Sequence, residues 1–229
     1  DSQGKMGELQ MGSLLLLVAS SVSLYAAGVI LNDVFDFKLD QIERPERPIP
    51  SGKVSLRSAA IYGAILMLTG ILLAFVANSL SGLLALLLAG SILLYDALAK
   101  PHGFFGPLNM GVCRGLNLLL GISILGALPN WWFAFVPIIY IAAITLISRG
   151  EVHGNNKKHI IFAGVLYAVV IFLVLGLMLG SERTLVWMLP FLAIFAIAIF
   201  RPLFKAYGDN SPRNIKKAVI AGVISLILL

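Results

Sequence analysis

Residues 12–40 read GSLLLLVASSVSLYAAGVILNDVFDFKLD, an apolar stretch that ends at Asn32 and Asp33 and is followed by two further acids, Asp36 and Asp40. A helix needs about 20 consecutive apolar residues to cross a bilayer, so the part before Asn32 predicts a membrane span. Similar runs recur along the chain, at roughly 13–31, 58–77, 83–98, 107–128, 133–148, 159–180 and 185–200, with an eighth that opens near 218. These runs are rich in Leu, Ala and Gly and lack the alternation of a membrane barrel. We predict an all-α, multi-pass transmembrane helical bundle, with residues 1–229 forming a single membrane domain.

The overall composition excludes a soluble domain. Hydrophobic residues make up 59% of the chain, charged residues 12%, and the mean hydropathy is +0.95, whereas a soluble domain carries about 25% charged residues. A single cysteine, Cys113, excludes a disulfide scaffold. The net charge of +6 is explained by membrane orientation, so we predict no nucleic-acid partner.

The predicted loops differ strongly between the two membrane faces. Long polar loops at 32–57, 99–106, 149–158 and 201–217 alternate with very short ones, and they hold most of the 17 Lys and Arg residues. By the positive-inside rule the long-loop face is cytoplasmic, or its organellar equivalent. We therefore predict a multi-pass integral protein of a bacterial inner membrane or an organellar equivalent. Most acids and all histidines fall on the same face, which is where we expect the chemistry.

The acidic motif is typical of a cation site. If the helix continues past the apolar run, Asn32 and Asp36 are neighbours one turn apart, and Asp33, Asp36 and Asp40 follow one stripe. Three carboxylates on one stripe repel one another unless a cation lies among them. Mg²⁺ commonly binds through one or two carboxylates together with substrate phosphates, so we predict a magnesium site here.

Residues 32–55 resemble the UbiA superfamily of intramembrane prenyltransferases, through the run N-D-x-x-D-x-x-x-D followed by R-P-x-x-S-G-x-x-S. The resemblance implies that Mg²⁺ at this motif holds the diphosphate of an isoprenyl donor, whose prenyl group passes to a hydrophobic acceptor within membrane lipid. It implies that Asn32, Asp33, Asp36 and Asp40 bind the metal, with Asp33 and Asp36 also catalytic, and that Arg47 binds substrate. Family members typically have nine helices, so we expect one helix before residue 1 and a truncated last helix.

Two further loops carry residues that the resemblance implicates. Tyr95 to Lys100 resembles the family's tyrosine-and-lysine loop, whose lysine approaches the diphosphate, so Lys100 is a catalytic and substrate-binding candidate; the alternative is a lysine that snorkels from a helix end or pairs with Asp96. The family's second acidic motif is reduced here to Glu151. Either Glu151 completes a Mg²⁺ site with His153 or Asn155, or the loop holds no second metal. The substrate-binding candidates of this loop are Arg149, His153 and Lys157, and the loop is similar to the divergent UbiA-like EboC branch.

Arg114 and Asn117 lie one turn apart within a predicted span. A charge at that depth costs about 2.5–3.5 kcal/mol on insertion scales, so both residues are predicted to line the substrate cavity. The alternative is that Arg114 snorkels to the interface.

Two functions remain open from the sequence. The first is Mg²⁺-dependent transfer of a prenyl group from an isoprenyl diphosphate to a hydrophobic acceptor at the cytoplasmic side. The second is a non-catalytic UbiA-like protein that binds or moves an isoprenoid or another hydrophobic metabolite, which the reduced second motif favours. A plain transporter leaves the spacing of the acidic motif unexplained.

Overall fold

The computed structural model describes the backbone of residues 2–151, 154, 157–178 and 182–228, and the side chains of residues 11–151, 154, 157–177 and 187–227. Over these residues the chain is helical, without strands. The α-helices are α1 (Ser2–Phe35), α2 (Phe37–Glu43), α3 (Leu56–Ala77), α4 (Ser79–Leu94), α5 (Phe105–Ile122), α6 (Phe135–Ser148), α7 (Lys157–Met178), α8 (Glu182–Gly208) and α9 (Pro212–Ser225). A π-helical turn, Tyr95–Ala99, follows α4, and single 3₁₀ turns follow α5 and α9 and precede α6. The predicted all-α bundle is confirmed.

Polar side chains set where the helices after the first loop begin. Ser55 precedes α3, and its Oγ accepts a hydrogen bond from the backbone N–H of Ser58 at 3.0 Å. Asn78 does the same for α4, where its Oδ1 accepts from the backbone N–H of Ser81 at 2.8 Å. Each cap satisfies a backbone donor that has no partner inside the helix. This is why α3 and α4 are separated by a single residue.

Seven helical segments in the described part of the chain are long and apolar enough to cross a membrane. They are Met11–Phe35, Leu56–Ala77, Ser79–Ala99, Phe105–Leu125, Trp131–Ser148, Lys157–Leu177 and Trp187–Gly208. They coincide with the seven predicted spans. Many of their large apolar side chains are exposed, Leu72 and Phe172 among them, as expected for helices whose outer faces meet lipid.

The predicted long loop at 201–217 is wrong. Helix α8 continues through Arg201 and Pro202 to Gly208, and α9 begins at Pro212, so the connection is short. Leu203 and Ala206 are buried in the core, and this packing holds the extra turns of helix although they contain Arg201, Pro202 and Lys205.

The helices form two compact units, and α5 begins in one and ends in the other. The first unit comprises Asp1–Pro101 and Val112–Ala134. Its core joins α1, α3 and α4, with Leu24, Ala74 and Ala85 fully buried. Gly70 lets α1 and α3 approach closely, because an added Cβ there would lie 3.0 Å from the carbonyl oxygen of Ser20. The single-domain interpretation stays a prediction.

The second unit comprises His102–Gly111 and Phe135–Leu229. Its core is aromatic, with Tyr140, Tyr167 and Phe195 buried among α6, α7 and α8. The hydroxyl of Tyr140 donates to the backbone oxygen of Gly222 at 2.7 Å, which joins α6 to α9. Through Tyr140, these contacts attach α7, α8 and α9 to α6.

Candidate active site

The acidic motif lies where α1 gives way to α2. Asp36 separates the two helices, yet its N–H donates to the Asn32 carbonyl at 2.9 Å and its own carbonyl accepts from Asp40 N–H at 2.9 Å. The i→i−4 pattern therefore continues across the break. As a result, side chains four residues apart, such as Asn32 and Asp36, stay on one face.

Arg47 joins two of the three carboxylates. Its Nη1 donates to Asp33 Oδ1 at 2.9 Å and to Asp40 Oδ2 at 2.7 Å. The Asp40 side chain is only 6% exposed, whereas those of Arg47 and Asp33 are 28% and 34% exposed. Burial lowers the pKa of Arg47, but the hydrogen bond to Asp40 and the charges of Asp33, Asp40 and Asp36 outweigh it, so the pKa is raised overall. The guanidinium therefore stays charged at any physiological pH.

Lys100 reaches the remaining carboxylate. It follows the π-helical turn Tyr95–Ala99, and its N–H donates to the carbonyl of Tyr95 at 2.9 Å, five residues earlier. Its Nζ forms an ion pair with Asp36 Oδ2 and lies 3.5 Å from Asn32 Oδ1. π-Helical turns are rare and occur frequently at functional sites. The turn thus brings the predicted lysine to the predicted acidic motif.

Asp96, in the same turn, belongs to this cluster and was not among the predicted site residues. Asn32 Nδ2 donates to Asp96 Oδ1 at 2.8 Å, which orients the Asn32 amide. The other oxygen, Asp96 Oδ2, is buried and has no hydrogen-bond partner among the described residues. The sequence did hold a signal, an acid at the end of an apolar span, since ionisable residues at membrane depth are functional by default. This signal was missed because Asp96 was considered only as an alternative partner of Lys100.

The donor set fits a magnesium ion in its chemistry. Asn32 and Asp36 offer an amide and a carboxylate oxygen one turn apart, and Asp96 contributes a buried oxygen that lacks a partner. Among the described residues, no three acidic, histidine or cysteine side chains are gathered into a ready metal cage. Mg²⁺ does not need one, because it usually keeps several waters and binds through one or two carboxylates plus substrate phosphates.

Arg114 and Asn117 of α5 face α1 within the first unit. The guanidinium of Arg114 lies over the ring of Tyr25, 5.2 Å from its centroid, in a cation–π contact. One turn away, Ser21 Oγ donates to Asn117 Oδ1 at 2.7 Å. Tyr25 and Arg114 are both exposed although each belongs to a candidate span. The pair is therefore a polar patch on an otherwise apolar surface.

Two basic residues of the predicted second loop lie within the second unit. Arg149 Nη2 donates to the backbone oxygen of His102 at 2.7 Å, at an exposed position. Lys157, the first residue of α7, places its Nζ 5.6 Å from the ring centroid of Tyr207 on α8. Both cations are thus positioned by other elements of this unit.

Glu151 lies in the turn after α6, where its N–H donates to the Ser148 carbonyl at 3.0 Å, and it is half-buried. His153 and Asn155 lie outside the described residues. The metal and substrate roles of this loop stay predictions.

The sequence profile of the UbiA prenyltransferase family matches residues 4–223, nearly the whole chain. The chain belongs to this family. The family match and the seven candidate spans together identify the chain as a multi-pass integral membrane protein of the UbiA family. The predicted relationship is thereby confirmed at the family level, while the similarity to the EboC branch stays a prediction.

Among curated UbiA-family relatives, the digeranylgeranylglyceryl phosphate synthase of Methanococcoides burtonii is 40% identical over 111 residues, which are 48% of this chain and 40% of that protein. The enzyme of the same name from Thermococcus gammatolerans is 35% identical over 156 residues, 67% of this chain and 56% of that protein. The matched stretches thus span about half the length of these relatives.

Two solved structures share the UbiA fold with this chain. A UbiA homolog from Aeropyrum pernix K1, in its apo form, superposes with a TM-score of 0.72 at 18% identity and covers 96% of this chain and 93% of that one. A UbiA homolog from Archaeoglobus fulgidus bound to GPP and Mg²⁺ gives 0.68 at 14% identity, covering 94% and 88%. At such identities the likeness establishes the fold alone.

Proposed function

We propose that this protein transfers a prenyl group from an isoprenyl diphosphate to a hydrophobic acceptor with the help of Mg²⁺. The observation that carries the proposal is the meeting of Lys100 with Asn32 and Asp36, because it joins the acid motif and the lysine loop of the family in one cluster. The family and the Archaeoglobus homolog bound to GPP and Mg²⁺ support the same chemistry.

The cluster offers what a departing diphosphate needs. Oxygens of Asn32, Asp36 and Asp96 would hold Mg²⁺, which, when bound, neutralises charge on the diphosphate as the allylic bond breaks. Lys100 pairs with Asp36, and its long side chain would turn its ammonium to a phosphate oxygen once a metal takes up the carboxylate. Arg47, held by two carboxylates, fixes the loop that follows the motif.

We further propose that Arg114 binds the polar end of the acceptor. Tyr25 and Asn32 are seven residues apart on the same face of α1, so Arg114 lies about 10 Å, two helical turns, from the metal motif along that helix. The relatives' product name describes a glyceryl phosphate with two geranylgeranyl chains, which makes a glyceryl phosphate lipid the acceptor class we favour. A phosphate is a partner that an exposed arginine within a span would recognise, and Asn117, fixed by Ser21, would line the same path.

The long-loop face, which carries this motif, is proposed to be cytoplasmic on the positive-inside rule.

The test is release of diphosphate by the purified full-length protein in nanodiscs, with Mg²⁺, geranyl diphosphate and a lipid extract. We expect release with the natural chain and a loss of at least about 100-fold with Asp36→Asn, since one charged ligand of the metal is removed. Glu46→Gln is the matched control, because Glu46 is an exposed acid in the neighbouring loop. Absence of release with every prenyl diphosphate tried, despite binding, would contradict transfer.

That last outcome supports the second candidate, a UbiA-like protein that binds or moves an isoprenoid without transferring it. The observation that favours this candidate is the loop after α6, where Glu151 is the only acid between Arg149 and Lys158. Under it, Asp36→Asn weakens binding of the diphosphate and changes no chemical step.

A further inference from the structure

A cavity of about 180 Å³ lies between α8 and α9, away from the acidic motif in sequence. Its lining consists of Arg201, Pro202, Lys205, Asn214 and Lys217. Three of these five residues are cations and none is an acid. The wall of the cavity is mainly apolar, so the alkyl stems of these cations form much of it, while Arg201, Lys205 and Lys217 are themselves exposed.

Among the described side chains, no ion pair neutralises the positive charge around this cavity. The acid of the adjoining turn, Asp209, accepts hydrogen bonds from Asn214 Nδ2 at 2.7 Å and Ser211 Oγ at 3.2 Å, so it serves to shape the turn. The ion pairs in the described part of the chain lie in the acidic motif and include none of the three cations. Like charges around one cavity repel, and a bound anion removes that cost.

The cavity also lies at the end of a lipid-facing stripe. Ile194, Ile197, Arg201 and Lys205 follow the i, i+3, i+7, i+11 spacing of one helix face. Ile194 and Ile197 are 54% and 63% exposed, so the apolar part of the stripe meets lipid and leads directly to the cations. A lipid with an anionic headgroup can contact both the exposed isoleucines and the cations. Free phosphate can contact only the cations.

We propose that the cations around this cavity bind the phosphate of an anionic membrane lipid whose acyl chain lies along Ile194 and Ile197. Basic pockets between transmembrane helices are known sites for anionic headgroups. The site shares no residue with the candidate active site, so it does not depend on the proposed function.

Native mass spectrometry of the full-length protein tests the proposal, with phosphatidylglycerol, phosphatidylcholine and inorganic phosphate titrated separately. Each basic residue near an anionic lipid is worth about a fivefold gain in affinity, so K205Q/K217Q should lower phosphatidylglycerol affinity about 25-fold. The control R213Q/K216Q removes the same charge from exposed positions of α9 outside the cavity, and should lower the affinity less than about twofold.

Preference for phosphatidylglycerol that K205Q/K217Q abolishes and R213Q/K216Q preserves supports the site. Equal losses in the two variants would indicate general attraction by net charge and overturn it, as would equal binding of phosphatidylcholine. Inorganic phosphate that binds as tightly as the lipid would show a free-anion site and overturn the lipid assignment. If K205Q/K217Q is less heat-stable than its control, the single variants K205Q and K217Q replace it, each with an expected fivefold loss.

Discussion

Replacing Arg47 with alanine should destabilise the loop that follows the acidic motif. The change leaves the Asp40 carboxylate, 6% exposed, without its 2.7 Å partner. Removing one partner of a buried ion pair typically lowers the free energy of unfolding by about 3–5 kcal/mol. Arg47 is itself 28% exposed, so water replaces part of its contact with Asp40. For this contact we therefore expect a loss of about 2–3 kcal/mol. The contact with Asp33, which is 34% exposed, adds at most about 0.5 kcal/mol. The total is about 3 kcal/mol, or a fall in Tm of about 6–12 °C if this loop unfolds with the rest.

Thermal unfolding of the purified protein in detergent measures this effect. Arg44→Ala is the matched control: Arg44 is an exposed arginine three residues earlier, and its removal should change the free energy of unfolding by less than about 0.5 kcal/mol. Adding Asp40→Asn to the Arg47→Ala variant removes the uncompensated charge and should recover part of the loss. The reasoning fails if Arg47→Ala and Arg44→Ala unfold at the same temperature, or if Asp40→Asn lowers the Tm of the Arg47→Ala variant further.

Three other outcomes follow from the same structure. Gly111→Ala should lower the free energy of unfolding by about 2–3 kcal/mol, because the new Cβ would lie 2.2 Å from the backbone oxygen of Ile138. Gly121→Ala in the same helix is the control, since its Cβ would meet nothing within 4 Å. In the same unfolding assay this control should be neutral or stabilise the protein by up to about 1 kcal/mol. A double-mutant cycle of Ser21→Ala and Asn117→Ala should give a coupling of about 0.6 kcal/mol, and zero coupling would mean that their hydrogen bond does not hold α1 to α5. Chelation of Mg²⁺ with EDTA should abolish diphosphate release and added Mg²⁺ should restore it, whereas release that survives chelation would exclude a metal-dependent step.

Much of the candidate site follows from sequence-local features. The magnesium site at Asn32, Asp33, Asp36 and Asp40 was predicted from their spacing together with the family resemblance, and backbone hydrogen bonds across Asp36 keep that spacing helical. Arg47 and Lys100 were predicted from the family pattern, and both contact the motif. The spacing did not predict which cation pairs with which carboxylate. In the structure Arg47 binds Asp33 and Asp40, and Lys100 binds Asp36.

Asp96 and the end of α8 show why some features were not predictable. The role of Asp96 depends on a π-helical turn that carries it to Asn32, 64 residues earlier in the chain. The last turns of α8 depend on the burial of Leu203 and Ala206 against neighbouring helices. Neither contact is encoded in a short window of sequence.

The amino-acid sequence by itself determined the spans, the membrane location and the acidic motif, because hydropathy and i, i+4 spacing are properties of consecutive residues. Only the tertiary structure decided which cation meets which carboxylate, that Arg114 lies over Tyr25, and that three cations of α8 and α9 surround one cavity. The physical reason is that these contacts join residues of different helices and loops, and their geometry is set by how those elements pack rather than by the order of side chains along any one of them.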